Sequence, residues 1–357
     1  MANKKNTSML PFDEFSPENN KLIFGDNVQG MKYLLENGYK GKIDLVYIDP
    51  PFATGGKFSV DNSGRVSTIS ASNEGTIAYD DSLTGTAFIE FLKERILLIH
   101  ELLSDKGSLY LHIDYKIGHY VKVMLDEVFG IENFRNDITR IKCNPKNFSR
   151  IGYGNIKDVI FFYTKGKKPI WNDPRFGFTE EELLKGYPKV DKNGRHYTTV
   201  PIHAPGETKD GESGKPFKGM LPPKGRHWRC PVAELEELDA KGLIEWSSTG
   251  NPRKINYADE MLGKKAQDIW EFKDPTHPTY PTEKNSEMLE FIVNASSAQS
   301  SIVMDCFCGS GSTLLAANKC GRKWIGIDAS PIAINVAKLN LKEQNYEFIN
   351  LNEEQKK

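Results

Sequence analysis

Apolar and polar positions along the chain fall into two stretches of one texture, separated by a third of another. Residues 43–48 (IDLVYI), 107–113 (GSLYLHI) and 158–163 (DVIFFY) are short apolar runs rich in β-branched and aromatic residues, the pattern of buried strands. Between the first two, TAFIEFLKERILLIHELLSDKG (86–107) carries apolar residues at helical spacing, with Gly107 placed to stop the helix. A second helix is predicted in KIGHYVKVMLDEVFG (116–130), so residues 20–165 read as alternating strands and helices building a mostly parallel sheet. The texture returns in 285–350. There a helix is predicted in SEMLEFIVNAS, a strand at SIVMD, a helix through STLLAANKC, a strand at KWIGID and a helix in PIAINVAKLNLKEQ.

The middle, 166–275, has few periodic runs and much glycine and proline, as in KPFKGMLPPKGRHWRC. It reads as a loop-rich insertion into an α/β chain. Residues 53–80 form another polar, glycine-containing loop, long enough that a functional role is expected of it.

A chain of 357 residues with 38% hydrophobic positions can bury one large core or two modest ones. No apolar run approaches the roughly 20 residues of a membrane span, and MANKKNTSML lacks the apolar core of a secretory signal, so a cytoplasmic location is expected. The five cysteines, Cys143, Cys230, Cys306, Cys308 and Cys320, include no CxxC pair, which argues against a zinc site or a disulfide framework. His196, His203 and His227 likewise lack metal-ligand spacing, and no metal is expected. The formal net charge of −1 leaves any polyanion-binding face to local clustering of charge.

Two motifs carry chemistry. In DLVYIDPPFATGG (44–56) an apolar strand stops at Asp49-Pro50-Pro51-Phe52. Neither proline donates a backbone hydrogen bond, and each steers its predecessor away from helix, so the ladder ends in a stiff turn. An acid, a carbonyl without a ladder partner and a ring on such a turn suit one task, gripping a planar amino-bearing base. Asp49 and the Pro50 carbonyl accept the amino hydrogens while the Phe52 face stacks on the ring. In IVMDCFCGSGSTLLAANKCGRKWIGID (302–328) a strand leads through the turn Gly309-Ser310-Gly311-Ser312 into a helix, and the next strand ends at Asp328. Small residues there let a ligand approach the backbone, and the acid can accept hydrogen bonds from both ribose hydroxyls. No Gly-Lys-Ser/Thr follows, which excludes a P-loop, and Leu314 stands where a dinucleotide fingerprint has its third glycine. Both loops follow strands, so in a parallel sheet they open at one edge.

Together these residues resemble the amino-directed DNA methyltransferases that use S-adenosylmethionine. DPPF is similar to their catalytic motif, and DCFCGSGST with GID to their cofactor motifs. The order, catalytic motif first and cofactor motif last, resembles the β class, and YPTEKN (280–285) resembles its cofactor-side HPTQKP element. AYDDSLTGTAFIEFLKERILLIHELLSDKGSLYLHID and DEVFGIENFRNDI are similar to the modification subunits of type III restriction systems. The resemblance implies a Rossmann-like fold with helices on both faces of the sheet. The two halves of the methyltransferase domain would be 20–165 (catalytic) and 276–350 (cofactor), with 166–275 as the target-recognition region. It implies S-adenosylmethionine as cofactor, Asp305 and Phe307 bracketing its methionine end, Gly309 and Gly311 lining it, Asp328 on its ribose, and Thr282 and Lys284 as further cofactor-side residues. Asp26, in LIFGDNVQGMKYL, matches the family's acid near the cofactor adenine and equally reads as a plain helix cap. Phe52 replaces a more usual tyrosine and keeps the stacking face. Cys306, Cys308, Ser312, Tyr280, Glu283 and Asn285 depart from the family pattern in ways that bear on cofactor affinity.

By the same resemblance Asp-Pro-Pro indicates adenine, whereas Ser-Pro-Pro is more usual for the cytosine amino group. The implied activity is N6-adenine methylation of double-stranded DNA after base flipping, in a restriction–modification system or as a solitary methylase, with a homodimer and a restriction subunit as implied partners. The alternatives are an N4-cytosine enzyme, a methyltransferase for RNA or a protein amide, and an inactive DNA-binding subunit; a dehydrogenase leaves Asp-Pro-Pro-Phe unexplained. Residues 138–175 hold nine basic side chains against Asp158 and Asp173, and GKPFKGMLPPKGRHWR adds five more with no acid. Lys142, Lys146, Arg150, Arg226, Trp228 and Arg229 are therefore the expected DNA contacts, with His227 beside them. His112 and Asp114, two apart in LHID, are expected to be structural.

Overall fold

The computed structural model describes residues 19–50, 57–60, 66–68, 76–80, 85–145, 149, 151–208, 210–261, 263–274 and 284–354. Pro51, Phe52, Lys146, Arg150 and Thr282, and most of the polar loop 53–80, lie outside the described residues. The chain divides into two compact units, one drawn from Met1–Pro174 and Gln267–Lys357, the other Arg175–Ala266. The flanks of the expected 166–275 insertion therefore belong to the first unit, where Ile269–Trp270 joins the main sheet beside Phe134–Ile141.

That sheet has nine strands in the order Ile269–Trp270, Phe134–Ile141, Lys157–Thr164, Leu103–Ile113, Ile43–Ile48, Ile302–Asp305, Lys323–Asp328, Asn20–Phe24 and Tyr346–Asn350. All neighbours pair parallel except Lys157–Thr164, which is antiparallel to both of its own. The connection 142–156 contains no helix among its described residues to carry the chain back across the sheet, so the strand returns against its predecessor. Ile302–Asp305 lies directly beside Ile43–Ile48, with Val303 opposite Leu45 and Met304 opposite Val46. Two strands some 250 residues apart thus end side by side at one carboxyl edge.

Helices cover both faces. Successive strand residues point to opposite sides, and at Gly326 and Ile327 the two sides carry different helices. A Cβ on Gly326 would lie 2.4 Å from Leu314 of the Ser312–Lys319 helix, while Ile327 lies against Gly30 of the Asn27–Glu36 helix. Leu314 is fully buried, filling space that Gly326 vacates. The Gly85–Leu102 helix buries Phe88, Leu92, Ile96, Ile99 and Leu102, one stripe at helical spacing. Gly107 does not stop this helix, which ends at Leu102; it sits inside the Leu103–Ile113 strand. There the pairing jumps from Ile43–Leu103 to Leu45–Ser108, and an added Cβ would meet the Ser104 and Ile43 carbonyl oxygens at 2.9 and 3.0 Å. The glycine is required by that close approach. Among the described residues no helix is long and apolar enough to cross a membrane.

The second unit has its own small sheet, in the order Lys189–Val190, His196–Pro201, Pro252–Tyr257 and Ile244–Trp246, antiparallel throughout. Ile202, Phe217, Trp228, Leu235 and Ile244 form its core. Thr179 and Glu182 form a reciprocal capping box that starts the Glu180–Gly186 helix.

Candidate active site

Asp49 leaves the end of the Ile43–Ile48 strand with its side chain 13% exposed. Its Oδ2 is 2.8 Å from the Lys284 ammonium, which is itself 11% exposed. Its Oδ1 is buried and accepts no hydrogen bond from the described residues. A buried carboxylate oxygen left without a donor carries a desolvation cost that a bound N–H donor would remove. Beneath it, the Tyr47 hydroxyl meets His112 Nδ1 at 2.9 Å, and His112 Nε2 meets Asp158 Oδ2 at 3.3 Å. Burial, together with the Lys284 charge, pushes the imidazole below its ordinary pKa. A neutral ring whose Nε2 faces a carboxylate keeps its proton there, so Nδ1 is the acceptor for Tyr47. Burial works to raise Asp158, yet His112 and Lys142 outweigh it and hold that carboxyl well below its usual range. His112 is fully buried.

The second half of the edge is built around Asp305, at the end of the neighbouring strand. Thr313 donates its hydroxyl to Oδ2 at 2.6 Å and the Phe307 amide donates to Oδ1 at 3.0 Å. Burial pushes the Asp305 acid up to about 7 against these two hydrogen bonds, and the charges of Asp49 and Asp328 push the same way. Thr313 was not among the expected site residues; its signal is a hydroxyl in the first turn of the helix that follows the glycine turn. Gly309 and Gly311 both adopt positive φ, 52° and 84°, and Gly311 is the left-handed cap from which the helix starts. Cys306 and Cys308 are buried, and burial lifts both thiols well above their ordinary pKa, so neither is a nucleophile.

Asp328 accepts the Gly309 amide on Oδ2 and the Ser330 amide on Oδ1, each at 2.8 Å. Burial raises its pKa in spite of these bonds. Asp26 caps the Asn27–Glu36 helix, Oδ1 accepting from Val28 and Gln29 at 2.9 and 3.3 Å. Its Oδ2 takes the Arg95 guanidinium at 3.2 Å, and the side chain stays 46% exposed. Arg95 also donates to Asn27 Oδ1 at 2.6 Å, Asn27 donates to the Cys306 carbonyl at 3.2 Å, and Arg95 lies over the Phe91 ring, next to Phe307. This chain of contacts ties Asp26 to the Asp305 loop. Arg95 and Asn27 carry no motif, and only the fold reveals their part.

Asp305 feels the charges of both Asp49 and Asp328. The arrangement suits a ligand that brings positive charge between them and vicinal hydroxyls to Asp328, with the Gly309–Gly311 turn allowing close approach. An S-adenosylmethionine-type group fits this donor and acceptor set.

The structure distributes the expected DNA contacts unevenly. Lys142 pairs with Asp158 at 2.6 Å, so its charge serves the buried network. Trp228 is 1% exposed in the core of the second unit, its indole N–H donating to the Lys215 carbonyl at 2.8 Å, and it offers no face to DNA. The Trp228 expectation is corrected: its side chain fills an interior that local sequence does not display. Arg226 and Arg229 are exposed, the first 3.1 Å from His203 Nδ1 and the second donating to the Pro201 carbonyl at 3.2 Å.

A family model described as DNA methylase, covering N6 and N4 methyltransferases, matches residues 43–339. The chain is 45% identical over 342 residues to the type II methyltransferase M.EcaI of Enterobacter cloacae, covering 92% of this chain and 72% of that protein. It is 25% identical over 330 residues to the Mod subunit of the type III restriction–modification enzyme StyLTI of Salmonella typhimurium, covering 82% of this chain and 49% of the subunit. This chain therefore spans about half the length of that Mod subunit. Among solved structures, the M1.HpyAVI–SAM complex is similar at a TM-score of 0.47 and 17% identity, covering 90% of this chain and 98% of that one.

Proposed function

The chain belongs to the N6/N4 DNA methylase family, and on that premise we propose that it transfers the methyl group of S-adenosylmethionine to the N6 amino group of adenine in double-stranded DNA. The observation that carries this reading is the buried Asp49 Oδ1 without a donor, beside the carboxylate-lined glycine turn. An amino group supplies the missing donor.

S-adenosylmethionine, when bound, supplies a methyl group on a positively charged sulfur. The protein's own work is placement. Asp49 and the Pro50 carbonyl accept the two amino hydrogens and so turn the nitrogen lone pair toward the donor side of the edge. The negative charge of Asp49 also offsets the positive charge that grows on that nitrogen, and the proton it loses passes to water. Phe52 is proposed to stack on the base. Asp305 is proposed to face the cofactor's ammonium, Asp328 its ribose and Asp26 its adenine, with Gly309, Gly311 and Phe307 lining the methionine end. Since the target amino group lies inside a duplex, the base must leave the stack, at a cost of about a few kcal/mol.

Adenine is favoured over cytosine by the acid at position 49 and by the likeness to Mod subunits of type III systems. The same likeness supports a restriction subunit as a partner. Two features support a DNA face. Ile151 and Tyr153 are fully exposed, at 107% and 97%, on the connection that opens at the Asp49 edge, within a stretch rich in basic residues. The Arg175–Ala266 unit, with exposed Arg226 and Arg229, is proposed as the target-recognition region.

Purified protein is incubated with duplex DNA and methyl-labelled S-adenosylmethionine, and the DNA is digested to nucleosides for mass spectrometry. Labelled 6-methyladenine is the expected product; labelled 4-methylcytosine overturns the base assignment, and unlabelled DNA overturns the substrate. Asp328→Ala is expected to weaken S-adenosylmethionine binding by calorimetry about ten- to a hundredfold, the worth of charge-assisted hydrogen bonds to two hydroxyls.

A further inference from the structure

The Lys284 ammonium rests on Asp49, 2.8 Å from Oδ2, with both side chains almost wholly enclosed. The motif resemblance assigns this lysine to the cofactor, whereas the geometry puts it on the acid that faces the base. We propose that Lys284 is a positioning residue that holds Oδ2 of Asp49, so that Oδ1 is the oxygen presented to the substrate amino group. This inference rests on the reading of the chain as a DNA amino-methyltransferase and adds a residue to its transfer step.

Three observations carry it. First, a carboxylate turns easily about its last torsion, which has broad, two-fold preferences, so one strong donor on one oxygen fixes the plane of both. Second, among the described residues, His112 cannot do this. His112 Nδ1 stands 3.7 Å from Oδ1, but its lone pair already accepts the Tyr47 hydroxyl at 2.9 Å, because the ring proton sits on Nε2 toward Asp158. It has no hydrogen to give Asp49. Third, Oδ1 is buried and accepts nothing from the described residues, so the two oxygens of one carboxylate are in different states, one held by a cation and one left without a donor. Among the described residues, the groups that face or feel Asp49 include one cation, Lys284, one neutral imidazole, His112, the Tyr47 hydroxyl and the carboxylate of Asp305. Removing the cation frees the carboxylate to turn. A misplacement of about 1 Å at a reacting group costs up to about a hundredfold in rate.

The test uses the full chain, duplex DNA carrying its target site, and labelled S-adenosylmethionine at saturation in single-turnover mode. Lys284→Met is expected to lower the transfer rate about ten- to a hundredfold, while the cofactor dissociation constant, by calorimetry on the same preparation, stays within about threefold. Lys284→Arg keeps a cation beside Asp49 and is expected to recover most of the lost rate; it also serves should the methionine variant fail to fold. A cofactor dissociation constant raised tenfold or more with the saturated rate unchanged would return Lys284 to the cofactor and overturn the proposal. Arginine and methionine variants equally impaired would overturn it too, since the charge would then be irrelevant. Wild-type protein that leaves every duplex unlabelled overturns the underlying reading, and this inference with it; labelled wild-type product with an unimpaired methionine variant overturns this inference alone.

Discussion

Asp49→Ala is expected to lower methyl transfer by at least about a hundred- to a thousandfold and to leave S-adenosylmethionine affinity within a few-fold of wild type. The asymmetry follows from where the acid sits. Asp49 ends the strand beside Asp305 without hydrogen-bonding to it, and the residues proposed to hold the cofactor are fixed by other partners: Thr313 and the Phe307 amide on Asp305, the Gly309 and Ser330 amides on Asp328. None of these bonds passes through Asp49. Alanine, however, leaves the Lys284 cation in a tight place without its carboxylate, which costs stability for reasons unrelated to transfer. Asp49→Asn is the cleaner companion. It keeps an acceptor oxygen and the side-chain volume, loses the charge that offsets the growing positive nitrogen, and is expected to be severely impaired without loss of fold. Single-turnover rates at saturating cofactor, paired with calorimetric binding, check both. Full activity in either variant removes Asp49 from the mechanism.

How much of this site the chain discloses by itself depends on whether a residue's role is local. The turn Asp49-Pro50-Pro51-Phe52 and the glycine turn at 309–312 are local devices: proline and glycine restrict or free the backbone wherever they stand, so their meaning is legible in the string. That the two strands are neighbours is not local. Val303 pairs with Leu45 only because the sheet reverses its order of filling, and nothing in either strand encodes its partner. Trp228 failed, and the partner of Lys142 stayed hidden, for the complementary reason. A lysine among basic residues and a tryptophan between arginines look like an external face, yet the first pairs with the buried Asp158 and the second fills the core of a small unit. Gly107 misled in a third way: its absence of a Cβ serves a close strand approach, although its place after a helical run imitates a stop signal. Lys284 is named by its motif, but a motif does not say which groups its side chain meets, and its contact with Asp49 appears only in the fold.

The second large effect concerns pH. Burial, assisted by the charges of Asp49 and Asp328, holds the Asp305 acid at about 7 in the folded protein without cofactor. In the unfolded chain it ionises near its ordinary value of 3.8. For an acid raised on folding, the folded state binds the extra proton between these values, so its contribution to stability is lost as pH rises from about 4 through about 7. The cofactor's ammonium, proposed to face Asp305, is expected to reverse this, because an opposite charge favours the ionised carboxylate. Binding must expel the proton below pH 7 and need not above it. The S-adenosylmethionine dissociation constant is therefore expected to be flat above about pH 7 and to rise toward tenfold per unit below it, while the rise in melting temperature on adding cofactor is larger at pH 8 than at pH 6. Asp305→Asn retains an acceptor for Thr313 and cannot titrate; it is expected to bind the cofactor weakly at every pH and to abolish the slope. Calorimetry of both proteins across pH 5.5 to 8.5 decides the matter. A wild-type slope that survives in the asparagine variant would assign the proton to another group, with Asp328, which burial also raises, the next to examine.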